Sequence, residues 1–253
     1  MTVSMNFSAN GNIDDKKADE LFFLNYFIDF WKYKIQTISM SWQIFQDKKA
    51  NTELQNSDYK SFLHLEAIFL QHHIIEALLE LHNVLYRQPS HIVKNLYLRK
   101  VKQPSQTAQQ ITKGNLLEST TLKKIYYLGD NKTSCEQIEK IGRDLVTLSK
   151  IYLDRDFYNA FKHSMRIMPK KDDAKLILRS EQTTWAFNIP NVIVTFQLDS
   201  EKIQMKARNV EFNQILVMVN RAYSLLQAIV NPRKEYYKNE RRKHQGCDVK
   251  KLS

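Results

Sequence analysis

The sequence predicts an α+β protein: mainly a helical bundle, with one small antiparallel sheet near residues 175–208. Three observations predict it. Long segments place apolar residues every three or four positions, the period of an amphipathic helix. Over residues 174–208 the period changes to alternation, the period of a strand. Only 5 Gly and 5 Pro occur in 253 residues, too few for a turn-rich all-β fold.

The elements follow in order. Residues 1–17 read as a mobile polar leader. From Leu21 the apolar positions are Leu21, Leu24, Ile28, Trp31, Ile35, Ile38, Trp42 and Phe45. Steps of three and four without a miss predict one long amphipathic helix, with a coiled-coil contact as the rival to core packing. A second helix is predicted from Asp58 to Arg87, ended by Pro89. Its apolar face is read as Phe62, Leu65, Phe69, Leu78, Leu81 and Leu85. On it, His72 and Glu76 stand four apart, a spacing that suits a metal or a helical pair. With no third ligand at a known spacing, the ordinary pair is the reading, and no metal or cofactor is implied.

Residues 88–114 are polar and basic and read as a long loop. A short helix is predicted over 115–128. "SCEQ" at 134–137 has the form of a capping box and opens a third long helix, reaching about residue 167. Its early stripe is Ile138, Ile141, Leu145, Leu148 and Tyr152. "AKLILRS", "TWAFNI", "VIVTFQL" and "KIQMKAR" then read as short strands, with connections short enough to force antiparallel pairing. A last helix is predicted from Glu211 to Val230, along Phe212, Leu216, Val219, Tyr223, Leu226 and Val230, stopped by "NP" at 231–232. The expected organisation is a single helical domain over 18–231, carrying the basic loop 88–114 and the meander, followed by a basic tail over 232–253.

Several function classes are excluded by what is missing. There is no dinucleotide fingerprint, no Walker-type phosphate loop and no Gly-x-Ser-x-Gly elbow. The N-terminus lacks the basic-then-apolar pattern of a signal peptide. No apolar run approaches the roughly 18 residues of a membrane span. Two cysteines, Cys135 and Cys247, lie far apart and suit a reducing compartment. The expected location is the cytoplasm, away from membranes.

The net charge of +11 is concentrated. Residues 87–113 hold six cations and no acid. Residues 231–253 hold eight cations against three acids, a net of +5, so the rest of the chain sums to zero. Such segments suit a phosphate backbone, against the plainer reading as solubility features. The candidate nucleic-acid contacts are Arg99, Lys100, Lys102, Arg241, Arg242 and Lys243.

One stretch points to chemistry: "YNAFKHSMRI", residues 158–167. Continuing the stripe beyond Tyr152 meets Arg155, Asn159, Lys162 and Arg166, with His163 beside them. A face that buries apolar side chains for four turns becomes polar. Three readings fit: a solvent-exposed end, a buried network paired with Glu66, Glu76 or Glu80, or a site for an anion such as a nucleic-acid phosphate. In the last, the cations stabilise phosphate charge and His163 moves a proton near neutral pH.

The "YNAFKH" stretch on a long helix resembles the signature of HEPN proteins. These are helical domains that include metal-independent ribonucleases of toxin–antitoxin, abortive-infection and CRISPR systems. Their motif is Arg, a polar residue that is often Asn, three to five further residues, then His. Asn159 and His163 match the polar residue and the His. Tyr158 stands where the Arg belongs, with Arg155 and Arg166 each about a turn away. The resemblance implies RNA as substrate and a homodimer whose two motifs form one composite site. The predicted candidates for catalysis are Arg155, Asn159, Lys162, His163 and Arg166. The expected function is therefore an HEPN-like RNA-binding protein of a defence or toxin–antitoxin system, with metal-independent RNA cleavage as its chemistry. The alternative is a non-catalytic helical subunit that docks onto a protein or nucleic-acid partner.

Overall fold

The computed structural model describes residues 14–47, 57–97, 104–129, 132–154 and 211–249, and the backbone of five strand segments within 167–209. Its spine is α3 (Ser57–Arg87), 31 residues long. Between Ile74 and Leu85 it buries Ile74, Ile75, Leu78, Leu79, Leu81, Val84 and Leu85, apolar side chains on every side. A helix apolar all round must be surrounded, and α3 is packed against six other helices. Earlier in α3 the buried row is Leu63, Ala67 and Leu70, whereas Phe62 is exposed and Leu65 and Phe69 are half-buried. The predicted face was one position off there, because two apolar stripes run side by side.

Among the described residues α3 is the one helix that bears on the expectation about membrane spans. Its Asp58–Arg87 stretch is long and apolar enough, by length and composition, to cross a membrane, with a mean hydropathy of 1.2. Half of that window is buried inside the protein, as in a core helix.

The predicted helix over 21–45 is two helices. α1 (Asp15–Asn25) ends at Tyr26, and α2 (Asp29–Gln46) begins three residues later. The Asn25 amide donates to the Leu21 carbonyl at 2.8 Å, competing with the helix's own bonds. Trp31 Nε1 donates to the Tyr26 hydroxyl across the turn at 3.4 Å. Ile28, within the turn, is still buried. The apolar spacing therefore passes through the break unaltered. Residues 15–17, read as leader, form the first turn of α1, capped by Asp14 accepting from the Lys17 N–H at 2.8 Å.

The predicted loop 88–114 contains two helices, α4 (Ile92–Tyr97) and α5 (Pro104–Thr112). Pro104 opens α5, where its missing N–H costs nothing. Thr107, Ala108 and Ile111 bury one face of it against α7 and α3. Gly114, at φ +82°, turns the chain out of this helix in a conformation that favours glycine.

α6 (Ser119–Tyr126) and α7 (Lys132–Leu153) complete this half. Ile138, Leu145, Leu148 and Tyr152 of α7 are buried along the predicted stripe. The helix begins two residues before Ser134, so Ser134 lies in its first turn and is not the cap.

The last helix, α8 (Phe212–Val249), does not stop at Pro232. Proline inside a helix costs about 3 kcal/mol. Contacts beyond it offset this: Tyr237 stacks on Phe23 of α1 with ring centroids 6.1 Å apart, and Arg241 pairs with Glu20. α8 packs on α3, α1, α2 and α7.

The α+β class is overturned: the protein is helical. Outside the strand segments, about 87% of the described residues are helical. Every buried apolar residue described lies on a helix or in a turn between helices. Alternation is a local signal, and class is decided by which elements build the core. The strand backbones are β1 (Ile167–Pro169), β2 (Ala174–Arg179), β3 (Thr184–Ile189), β4 (Val192–Asp199) and β5 (Lys202–Asn209). They pair antiparallel as β1–β4–β5 and, separately, β2–β3. They do not form the single consecutive meander that was expected.

Candidate nucleic-acid interface around α1

The candidate catalytic residues Arg155, Asn159, Lys162, His163 and Arg166 lie outside the described residues, as do Arg99, Lys100 and Lys102. Arg241, Arg242 and Lys243 are placed, all exposed on α8. Among the described residues, charged and aromatic side chains gather around α1, read from sequence only as the start of a core helix.

α1 carries acids on two flanks. Asp15 and Asp19, one turn apart, face α4. Asp15 accepts from His91 Nδ1 at 2.6 Å and lies 3.4 Å from Lys94 Nζ. Desolvation pushes the Asp15 carboxyl up, but Lys94 and His91 together outweigh it and hold it below the usual carboxylate value. Asp19 is 5% exposed. Its Oδ2 accepts from the backbone N–H of His91 and Ile92, each at 3.1 Å, and its Oδ1 from Val93 at 2.9 Å. It thus caps the N-terminus of α4 from 72 residues away, a favourable place for a carboxylate. His91 sits at φ 73°, a strained conformation held by these bonds and the Asp15 contact.

Glu20 is about 100° further round the helix and faces α8. It accepts from Lys17 Nζ at 2.9 Å and pairs with Arg241. Lys17 first and Arg241 second hold its carboxyl below the ordinary value. Phe23, fully buried, stacks on Tyr237 of α8.

The sequence places Arg233 in the basic tail over 232–253, either a further short helix or disordered. It is instead 9% exposed. Its Nη1 donates to the carbonyls of Ile125 at 2.8 Å and Ile229 at 2.7 Å. The first closes the C-terminus of α6, where a cation suits the helix dipole. The guanidinium also lies 4.8 Å from the Tyr127 ring centroid and 5.7 Å from that of Phe23. Burial pulls the Arg233 pKa below its ordinary value, against Tyr127, Tyr237 and Tyr126, which push it back.

A helix from each basic segment therefore packs on an adjoining flank of α1: α4, whose Lys94 is paired with Asp15, on one side, and the second half of α8, from 231–253, on the other. Between α1 and α8 lies a cleft of about 440 Å³. Lys16, Lys17 and Arg241 supply cations, and Tyr236 and Tyr237 supply ring faces, Tyr236 being about half exposed. Asp14, Glu20 and Glu240 line it too, so its local charge is balanced. Along α8, Lys238 pairs with Glu235 and Lys243 with Glu240.

At the far end of α7, Tyr152 donates to Glu76 Oε1 at 3.0 Å and its ring stacks on His72 with centroids 4.5 Å apart. This cluster ties the end of α7 to α3. Among the described residues no group of three His, Cys, Asp or Glu is placed to hold a metal.

Sequence reasoning missed Asp15, Asp19, Arg233 and the two tyrosines. The four-residue spacing of Asp15 and Asp19 was a legible signal for a shared face; their partners, more than 70 residues distant, were not. No family model matches the chain, and neither a curated protein nor a solved structure matches it.

Proposed function

We propose that the chain is an HEPN-like helical protein of the cytoplasm that binds single-stranded RNA on the surface centred on α1. The observation that carries this reading is the cleft between α1 and the second half of α8, where Lys16, Lys17 and Arg241 stand beside the rings of Tyr236 and Tyr237. Cations supply sequence-independent attraction to phosphate, and an aromatic face stacks bases at about 1–3 kcal/mol each. Cleavage belongs to the segment that follows Tyr152. There His163 takes the 2′-hydroxyl proton as that oxygen attacks the adjacent phosphorus. Lys162 and Arg166 stabilise the phosphate charge, and the departing 5′-oxygen takes up a proton. Asn159 holds the geometry, and Arg155 supplies a further guanidinium. In this reading two copies bring their motifs together at one site.

The test separates binding from chemistry. Labelled single-stranded RNA is titrated with the full chain, and product is followed with and without His163→Ala. Tyr236→Ala should weaken binding about five- to a hundred-fold. His163→Ala should abolish cleavage with binding intact. Absence of binding by the native chain overturns the reading.

The alternative of a non-catalytic docking subunit has its own support. Lys238, Arg241 and Lys243 are engaged by carboxylates, which reduces the cations offered to phosphate. That reading expects no RNA binding and no product.

A further inference from the structure

α2 has two apolar faces, and only one is used by the core. Ile35 and Ile38 are buried, with Trp31, Trp42 and Phe45 packed beside them. On the outward side Phe30 is 43% exposed, Tyr33 57%, Met40 61% and Ile44 45%. These four, with Thr37, recur at steps of three and four: Phe30, Tyr33, Thr37, Met40, Ile44. That is a two-heptad seam, with Phe30, Thr37 and Ile44 at one core position and Tyr33 and Met40 at the other. Thr37 donates its hydroxyl to the Tyr33 carbonyl at 2.9 Å, so that hydroxyl is already satisfied within its own helix. Four exposed large apolar residues in so regular a row are more than scattered surface apolarity requires.

From this we infer that the outward face of α2 is a self-association seam, pairing in parallel with α2 of a second copy. The charges beside the seam favour that occupant. In a parallel pair each residue just before a heptad meets the partner residue five positions further on. Asp29 occupies the first of these flanks and Lys34 the second, so Asp29 of each copy meets Lys34 of the other, twice by symmetry. The remaining flanking positions within α2 are Gln36, Ser41 and Gln43, all uncharged, and Gln43 meets position 48, a lysine outside the described residues. Two chains of net charge +11 therefore meet here without like charges opposed. The inference does not depend on RNA binding, and its seam lies outside the 155–166 segment.

The test is sedimentation of the full chain over a range of concentrations, with charge reversals. Asp29→Lys and Lys34→Asp should each weaken the dimer about five- to thirty-fold, and the double reversal should restore it. Asp29 also lies near Tyr223, and Lys34 near Phe30 and His73, within one chain. Those effects would not cancel in the double variant, so its recovery reports the contact between copies. Met40→Cys in a Cys135→Ser, Cys247→Ser background should form an intermolecular disulfide on oxidation, since Met40 faces its own copy in this register. A monomer at tens of micromolar overturns the inference. So does a dimer indifferent to the single reversals, or one that the double reversal fails to restore.

Discussion

Asp19 Oδ2 accepts the backbone N–H of Ile92 at 3.1 Å, joining the first helix to the start of α4 across 73 residues of sequence. The carboxylate is buried and takes two further N–H groups. Removing it leaves three donors without their acceptor. Asp19→Ala should therefore destabilise the fold by about 2–4 kcal/mol, and Asp19→Asn by less, because one oxygen acceptor survives. Chemical denaturation would measure both. A loss under about 0.5 kcal/mol would show that water replaces the cap.

His82 gives a pH dependence with a definite sign. Its ring is fully buried, and Nε2 lies 3.1 Å from the Leu116 carbonyl, which can only accept. Nε2 therefore carries the proton, and buried Nδ1 has no hydrogen-bond partner. Burial pulls the pKa down to about 4, against a smaller upward effect of the Leu116 bond. The unfolded chain, near 6.5, binds the extra proton more readily than the folded one. The contribution of this residue is thus fully present above pH 6.5 and declines as pH falls from 6.5 towards 4, by about 3 kcal/mol across that window. Denaturation midpoints at pH 7.5 and 4.5 should differ less in His82→Gln than in the native protein. An equal difference in both would show that His82 does not titrate on unfolding.

Arg233→Lys should not substitute for Arg233. Nη1 serves two carbonyls on different helices while the planar guanidinium lies near the Tyr127 and Phe23 rings. An ammonium on a flexible stem reproduces neither the fork nor the plane. A loss of about 1–3 kcal/mol is expected for Lys, and a larger one for Ala, which also removes packing. Equal stability of the Lys variant by thermal melting would contradict the capping role. It follows that truncation at residue 231 removes a structural residue along with the basic charge, and neutralisation of single side chains is the cleaner probe of charge.

The parts of this fold legible in the sequence were those whose partners share a stripe. Leu145, Leu148 and Tyr152 on α7, and Phe212, Val219, Leu226 and Val230 on α8, are buried where three–four spacing put them. The break at Tyr26–Ile28 was illegible because Ile28 stays buried in the turn and keeps the spacing intact. α5 was hidden by its polarity, since only Thr107, Ala108 and Ile111 anchor it. Pro232 was read as a stop because the contacts that carry the helix past it, Tyr237 on Phe23 and Arg241 with Glu20, lie more than 200 residues away in sequence. Charge density was legible, but not its use: Arg233 is a cap and Lys94 a tether, while Arg242 is exposed. α7 ends at Leu153, with Asp154 already outside it, so the helix expected to reach residue 167 stops short, and Arg155 to Arg166 lie outside the described residues.

The proposal that the α1 surface binds RNA is tested most directly by the salt dependence of binding. Each phosphate neutralised on a single strand contributes a slope of about −0.7 to the log–log plot of affinity against salt. Labelled single-stranded RNA would be titrated at several salt concentrations with the native chain and with the Arg241→Gln, Arg242→Gln, Lys243→Gln variant. The account predicts a negative slope for the native chain, shallower in the variant by about 0.7 from Arg242 alone and by about 2 where phosphate displaces Glu20 from Arg241 and Glu240 from Lys243. Binding that is absent, or a slope unchanged by the three substitutions, would contradict it.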